Sequence, residues 1–356
     1  MTLVRERRQH KALSLILPST SANSWQNHNF LSPSAPSSTS SNNSSPSTDN
    51  NNDNCLANLE KLDVIGLGNS GTVYKVRHKK NGEIYALKVL RFRENKEGLQ
   101  QQALREAEFL RRVVDSRFVV MCHGVFENGG FEESDGSSSG DVCFLLEYME
   151  RGSLHDLLRK RQKLPEDYVS IIARSVLQGL QYLHGMQIVH RDIKPSNLLI
   201  NSKGEVKIAD FGVSKVANNN SNKEYLNNSY MGTCAYMSPE RIDPEKWDGN
   251  SCYGYEGDVW SIGVVVMECC MGRFPLISED EKPDWVTLMC SICFEEKKLE
   301  MPETDASIEL RNFVGRCLVR DWRERATVEE LLSHPFLIKF QNHSLPSFFT
   351  CVSNYS

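Results

Sequence analysis

The run Gly66-Leu67-Gly68-Asn69-Ser70-Gly71 lies between two strand-like stretches, and this is what most narrows the folds open to the chain. Residues 59–65 read as one strand, and Thr72-Val73-Tyr74-Lys75-Val76-Arg77 alternates β-branched or apolar with polar residues as a second. A dinucleotide-binding unit with the same glycine spacing would pass into a helix here instead. The glycines therefore form the tip of a hairpin flap, where backbone amides approach a phosphate with no Cβ in the way. A third strand, Ile84–Leu90, sets Lys88 among apolar neighbours. An ammonium is costly there unless it is paired.

The partner expected for Lys88 is Glu106, in the helical pattern over residues 99–113, with Glu108 on the solvated face. Strands near residues 119–124 and 142–148 follow, joined by a loop rich in Gly, Ser and acids. Glu147-Tyr148-Met149 opens a connector whose backbone groups suit an adenine ring, and Ser153 is placed to cap the next helix. An apolar stripe over residues 167–184 leads into His190-Arg191-Asp192-Ile193-Lys194-Pro195-Ser196-Asn197, just before Leu198-Leu199-Ile200. Taken alone, Asp192 is either a catalytic carboxylate or the cap of a buried turn. The strand-like Val206-Lys207-Ile208-Ala209 ends in Asp210-Phe211-Gly212, by itself a common kind of turn, but after a strand and downstream of Asp192 its carboxylate reads as one that holds magnesium between phosphates. Residues 213–237 are polar and Asn-rich, long for a connection inside a compact domain, which points to a regulatory loop. The apolar run after Asp258 reads as a buried helix, with Asp258 capping it or holding backbone amides.

Composition excludes several classes. A net charge of -5 over 356 residues argues against a nucleic-acid partner, and no run nears the roughly 18 apolar residues of a membrane span. The 11 cysteines form no secretory framework and read as reduced thiols, in a cytoplasmic setting with possible nuclear access. Cys290 and Cys293 alone could be half of a zinc site but lack a second pair nearby. Residues 18–55 are Ser-, Asn- and Pro-rich and are expected to form a linker. At its head, Arg5, Arg7, Arg8 and Lys11 precede alternating Leu13 and Leu15. A signal peptide is disfavoured because Pro18 breaks the short apolar run, leaving a transit peptide or a linear docking motif.

Glycine loop, Lys88, Glu106, Asp192, Asn197, Asp210 and Ser238-Pro239-Glu240 occur in this order, and over residues 59–336 the chain resembles a eukaryotic protein kinase. Lys194 is similar to the serine/threonine class. Gly212-Val213-Ser214, Gly232-Thr233-Cys234-Ala235-Tyr236-Met237-Ser238-Pro239-Glu240-Arg241 and Leu3-Val4-Arg5-Glu6-Arg7-Arg8 look like a plant mitogen-activated protein (MAP) kinase kinase. The resemblance implies an α+β, two-lobed fold: a sheet lobe over residues 56–149, a helical lobe over 150–336, and a tail at 337–356. It implies ATP and Mg2+ as cofactors, Asp192 as base and Lys194 beside the transferring phosphoryl. Ile65, Gly66, Leu67, Gly68, Asn69, Ser70, Gly71, Thr72, Val73, Ala86, Lys88, Glu106, Glu147 and Met149 would surround ATP. Asn197 and Asp210 would carry the metal, Thr233 would line the substrate groove, and Arg325 would pair with Glu240.

The implied partners are a MAP kinase substrate, docked by residues 1–17, and an upstream MAP kinase kinase kinase, with the chain acting as a monomer. One departure stands out. Five residues separate the two phosphorylated hydroxyls of the plant family, but the corresponding position upstream of Ser229 is Lys223, and Ser221 comes two positions early. Ser229 is thus the phosphorylation candidate and Ser221 the weaker one. The alternative is a weakly active, pseudokinase-like scaffold that binds MAP kinases.

Overall fold

The flap begins a five-stranded antiparallel sheet in the order β1-β2-β3-β5-β4. Its strands are β1 (Leu59–Leu67), β2 (Gly71–His78), β3 (Ile84–Leu90), β4 (Cys122–Glu127) and β5 (Val142–Glu147). The computed structural model describes residues 56–67, 71–90, 97–113, 116–127, 141–161, 163–217, 234–249, 254–276, 285–294, 299, 301 and 306–342. Strands β2 and β3 pair in unbroken register, with Val73 opposite Lys88, and β3 sets Lys88 opposite Phe144 of β5. This pairing explains Gly71: a Cβ there would lie 2.1 Å from the Val89 carbonyl oxygen. Close approach of the two strands is by itself enough to demand the third glycine. Strand β4 starts later than the sequence suggests, because Val119 is drawn into a parallel bridge with Ile208.

Alternation along β5 divides its side chains between two cores. Cys143 and Leu145 join Leu59, Tyr74, Val76, Leu87 and Val89. Val142 and Phe144 instead share a core with Ala103, Ala107 and Leu110 of α1 (Glu97–Arg112), and that core continues through the helical lobe. The helix carrying Glu106 is therefore seated on the same apolar mass as the residues around Asp192.

The helical lobe opens with α2 (Leu154–Arg161) and α3 (Glu166–Gly185). Ser153 caps α2 as expected: its Oγ accepts from the Asp156 amide at 3.2 Å, and Asp156 Oδ2 accepts from the Ser153 amide at 3.1 Å. Two short ribbons follow, β6 (Ile188–Val189) with β9 (Lys215–Val216) and β7 (Leu198–Ile200) with β8 (Val206–Ile208). Beyond them lie α4 (Pro239–Ile242), α5 (Tyr255–Met271), α6 (Trp285–Cys293), α7 (Ile308–Cys317), α8 (Val328–Leu332) and α9 (Pro335–Lys339). Residues 259–266 of α5 are buried on every side, which makes this helix the axis of the lobe. It crosses α7 closely at Gly263, where a Cβ would come within 2.6 Å of Cys317 Cβ.

Helix α9 buries Phe336 and Leu337 in a stretch where the sequence shows no period, since five residues make barely more than one turn. Cys290 is exposed and Cys293 buried on α6, and no group of three or more metal-ligating His, Cys, Asp or Glu occurs among the described residues. Among the described residues, no helix is long and apolar enough to cross a membrane.

Candidate active site

Strand β3 and helix α1 deliver the first charged pair. Lys88 Nζ lies 2.7 Å from Glu106 Oε1 and 3.1 Å from Asp210 Oδ1, so the helix phase that selected Glu106 over the exposed Glu108 holds. Burial works against the charge of Lys88, but the carboxylates of Asp210 and Glu106 outweigh it and raise its pKa. Burial likewise opposes ionisation of Asp210, yet Lys88 brings its pKa below the usual aspartate value. Glu106 is shifted upward by burial despite its contact with Lys88. The cation is thus shared, and it links the sheet lobe to the segment after β8.

The stretch from His190 to Asn197 is held from beneath by Asp258 at the start of α5. Its Oδ2 accepts from the His190 amide at 2.9 Å and its Oδ1 from the Arg191 amide at 2.8 Å, the amide-holding role expected of it. Arg191 sits at φ 69 and Asp210 at φ 68, left-handed conformations that cost non-glycine residues on the order of 1–3 kcal/mol. Both are over-determined by hydrogen bonds. The Arg191 carbonyl accepts from Arg241 NH1 at 2.6 Å, and Asp210 Oδ1 accepts from the Gly212 amide at 3.3 Å.

His190 is fully buried, with its ring edge to face with Phe211 at 5.3 Å. Its Nδ1 lies 3.3 Å from the Asp192 amide, which can only donate, so Nδ1 accepts and Nε2 carries the proton toward the Ala209 carbonyl at 3.2 Å. The imidazole is neutral in this arrangement, and burial lowers its pKa accordingly.

Asp192 presents one engaged and one open oxygen. Oδ2 accepts from Asn197 Nδ2 and lies near Lys194 Nζ, both at 2.8 Å, while Oδ1 has no hydrogen bond among the described residues. Burial raises the Asp192 pKa against the pull of Lys194, the direction that suits a general base near neutral pH. Asn197 also donates to the Asp192 carbonyl at 2.9 Å, which turns its own Oδ1 away from the base. Among the described residues neither that oxygen nor Asp210 Oδ2 accepts a hydrogen bond, and both are hard donors of the kind magnesium selects, so these two residues fit the metal.

Around this centre, Ala86 and Met149 are buried, whereas Ile65 and Leu67 stand exposed on the lip of the flap. Thr72 and Val73 continue from the flap into β2. Gly68, Asn69, Ser70, Ser221, Ser229 and Thr233 lie outside the described residues, as do Arg5, Arg7, Arg8, Lys11, Leu13 and Leu15. Glu147 ends β5, and its carboxylate turns back to Lys207. Lys207 and Arg241 were not among the expected site residues. A lysine between Val206 and Ile208 was a visible signal of the kind that marked Lys88, whereas nothing local marked Arg241.

Below the site, Arg325 and Glu240 form a two-pronged ion pair at 2.8 and 2.9 Å with both side chains inaccessible. The carbonyls of Val319, Glu256 and Arg320 accept the remaining guanidinium protons, so all five donors are used.

The chain is similar in sequence to known proteins. A protein kinase domain model matches residues 59–337. Over 337 residues, covering 95% of this chain and 99% of the relative, the sequence is 49% identical to mitogen-activated protein kinase kinase 10 of Arabidopsis thaliana. It is 46% identical to mitogen-activated protein kinase kinase 9 of the same plant with the same coverage of both chains. Mitogen-activated protein kinase kinase 7 of Arabidopsis thaliana is 44% identical over 338 residues, again 95% of this chain and 99% of the relative.

Proposed function

The chain belongs to the plant mitogen-activated protein kinase kinases, ATP-dependent protein kinases of the MAP kinase cascade, and from that premise we propose that it phosphorylates both the Thr and the Tyr of a Thr-x-Tyr loop in a MAP kinase. What supports this reading is that the charged groups required are engaged together in one arrangement: Lys88 with Glu106 and Asp210, and Asp192 with Lys194 and Asn197.

In this reading the open oxygen of Asp192 accepts the proton of the incoming hydroxyl, and Lys194 steadies the transferring phosphoryl. Lys88 binds the α and β phosphates, the glycine-rich run between β1 and β2 contacts them, and the backbone of Glu147 and Met149 receives the adenine. Asp210 and Asn197 hold magnesium, which when bound neutralises phosphate charge. Thr233 lines the groove for the substrate. Positioning and charge neutralisation make up the catalysis, so little covalent chemistry is asked of the protein.

Residues 1–17 would bind an acidic patch of the MAP kinase through Arg5, Arg7, Arg8 and Lys11, with Leu13 and Leu15 entering apolar pockets. The protein would act as a monomer in the cytoplasm, with access to the nucleus. Incubation with ATP, magnesium and a catalytically dead MAP kinase is expected to place phosphate on both residues of the Thr-x-Tyr loop, and removing residues 1–17 to slow the transfer. Phosphate on one residue alone would sink dual specificity, and none after activation would sink the substrate assignment.

Activation is assigned to an upstream kinase acting on Ser229. Arg191 adjoins the base in sequence, and a loop phosphate, with about two negative charges and three acceptor oxygens, would neutralise it. Ser229→Ala should reduce turnover after treatment with that kinase by about ten-fold or more, while Ser221→Ala changes it little. Equal turnover of the Ser229→Ala and unaltered chains in a phosphate-transfer assay would remove Ser229 from this role.

A further inference from the structure

A further shielded ion pair joins β8 to the end of β5. Lys207 is the one charged residue of β8, the strand leading into Asp210, and Val206 and Ile208 point to the opposite face. Its Nζ lies 2.7 and 2.8 Å from the two carboxylate oxygens of Glu147, with side-chain exposures of 9% and 24% for the lysine and the acid.

Glu147 is gripped again by its neighbour. Its amide donates to the Met121 carbonyl at 2.9 Å, and its Oε2 accepts from the Met121 amide at 3.3 Å. The segment ending at Met121 clasps β8 in turn: the Val120 amide donates to the Ile208 carbonyl at 2.9 Å and the Ile208 amide to the Phe118 carbonyl at 2.8 Å. Just beyond β8, the Ala209 amide donates to the Asn197 carbonyl at 2.9 Å. The start of the connector and the segment bearing Asp210 are thereby joined in one hydrogen-bonded unit, with Lys207 as its charged link.

We infer that Lys207 is a positioning residue for the nucleotide: by holding Glu147 it keeps the adenine-receiving backbone at a fixed distance from Asp210. This rests on the nucleotide reading given above. A nucleotide is a two-ended ligand of limited reach here, with its base at the connector and its metal-bound phosphates at Asp210. Slack between the two ends weakens a ligand that must reach both, because the second contact loses effective concentration, but it spares one that touches only the connector.

Calorimetric titration of the full chain with MgADP and with adenosine separates these cases. Lys207→Met and Glu147→Gln should each weaken MgADP about ten-fold while changing adenosine by less than about two-fold. The double variant should bind MgADP no more weakly than either single one, since the two side chains act as a unit. Lys207→Arg, which keeps the charge, should recover most of the affinity. Should Lys207→Met fail to fold, Glu147→Gln, close to the native acid in volume, carries the same comparison. Loss of MgADP and adenosine by one common factor, or MgADP binding unchanged in both single variants, overturns the inference and leaves the nucleotide reading intact. If the unaltered chain binds neither ligand, the nucleotide reading and the inference fall together.

Discussion

An Asp192→Asn chain is expected to fold like the unaltered one and to transfer phosphate about 10²–10⁴-fold more slowly. The substitution keeps the shape of the side chain, so the contacts with Asn197 and Lys194 at Oδ2 still have an oxygen to meet. What it removes is the proton acceptor at the open oxygen. Stability should hold or rise, for a reason that follows from the direction of the Asp192 shift. Its folded-state pKa is raised by burial, so the folded chain retains this proton to a higher pH than the unfolded chain does. Ionising the group at neutral pH therefore weakens folding, and a neutral amide removes that penalty. The check is kcat from phosphate-transfer kinetics beside Tm from thermal unfolding. A fall in kcat of less than about ten-fold would remove Asp192 as base. A large loss of Tm with activity preserved per folded molecule would make it a structural cap instead.

Arg325→Met is expected to destabilise the helical lobe by about 3–5 kcal/mol, because it strands a buried carboxylate rather than merely deleting a contact. Glu240 is 2% exposed and loses both bonds of its ion pair, while the carbonyls of Val319, Glu256 and Arg320 lose their donor at the same time. A drop in Tm on the order of 10 °C should accompany the loss. Pairing the change with Glu240→Leu should restore part of the stability, since two apolar groups no longer leave a charge unpaired. Unfolding curves that show Arg325→Met within about 1 kcal/mol of the unaltered chain would mean that water or a rearranged partner satisfies Glu240.

Lys88 shows how much of the site could be read in advance. Its position in an apolar strand demanded a partner, and helical periodicity placed Glu106 on the facing side and Glu108 outside. The same demand applied to Lys207 between Val206 and Ile208, but its partner Glu147 lies far along the chain at the end of another strand, beyond any local period. Gly71 was legible as a residue without a side chain, but the strand contact that demands this was not. The 2.1 Å that a Cβ would leave to Val89 exists only once β2 lies against β3. Leu337 in α9 shows a further limit: it is fully buried, but its helix is too short to express an amphipathic period.

Strand alternation and helical period, as properties of the chain, placed the separate elements and marked the charged residues, and the order of Lys88, Glu106, Asp192, Asn197 and Asp210 carried the resemblance that implied the two-lobed fold. Only the tertiary structure decided how those charges are shared and held. Lys88 serves two carboxylates, Asp258 carries the backbone of His190 and Arg191, and Lys207 ties Glu147 to the strand before Asp210. Electrostatic and hydrogen-bond partners are chosen by distance in space, and burial multiplies the cost of a wrong choice. Neither distance nor burial exists until the strands and helices have packed.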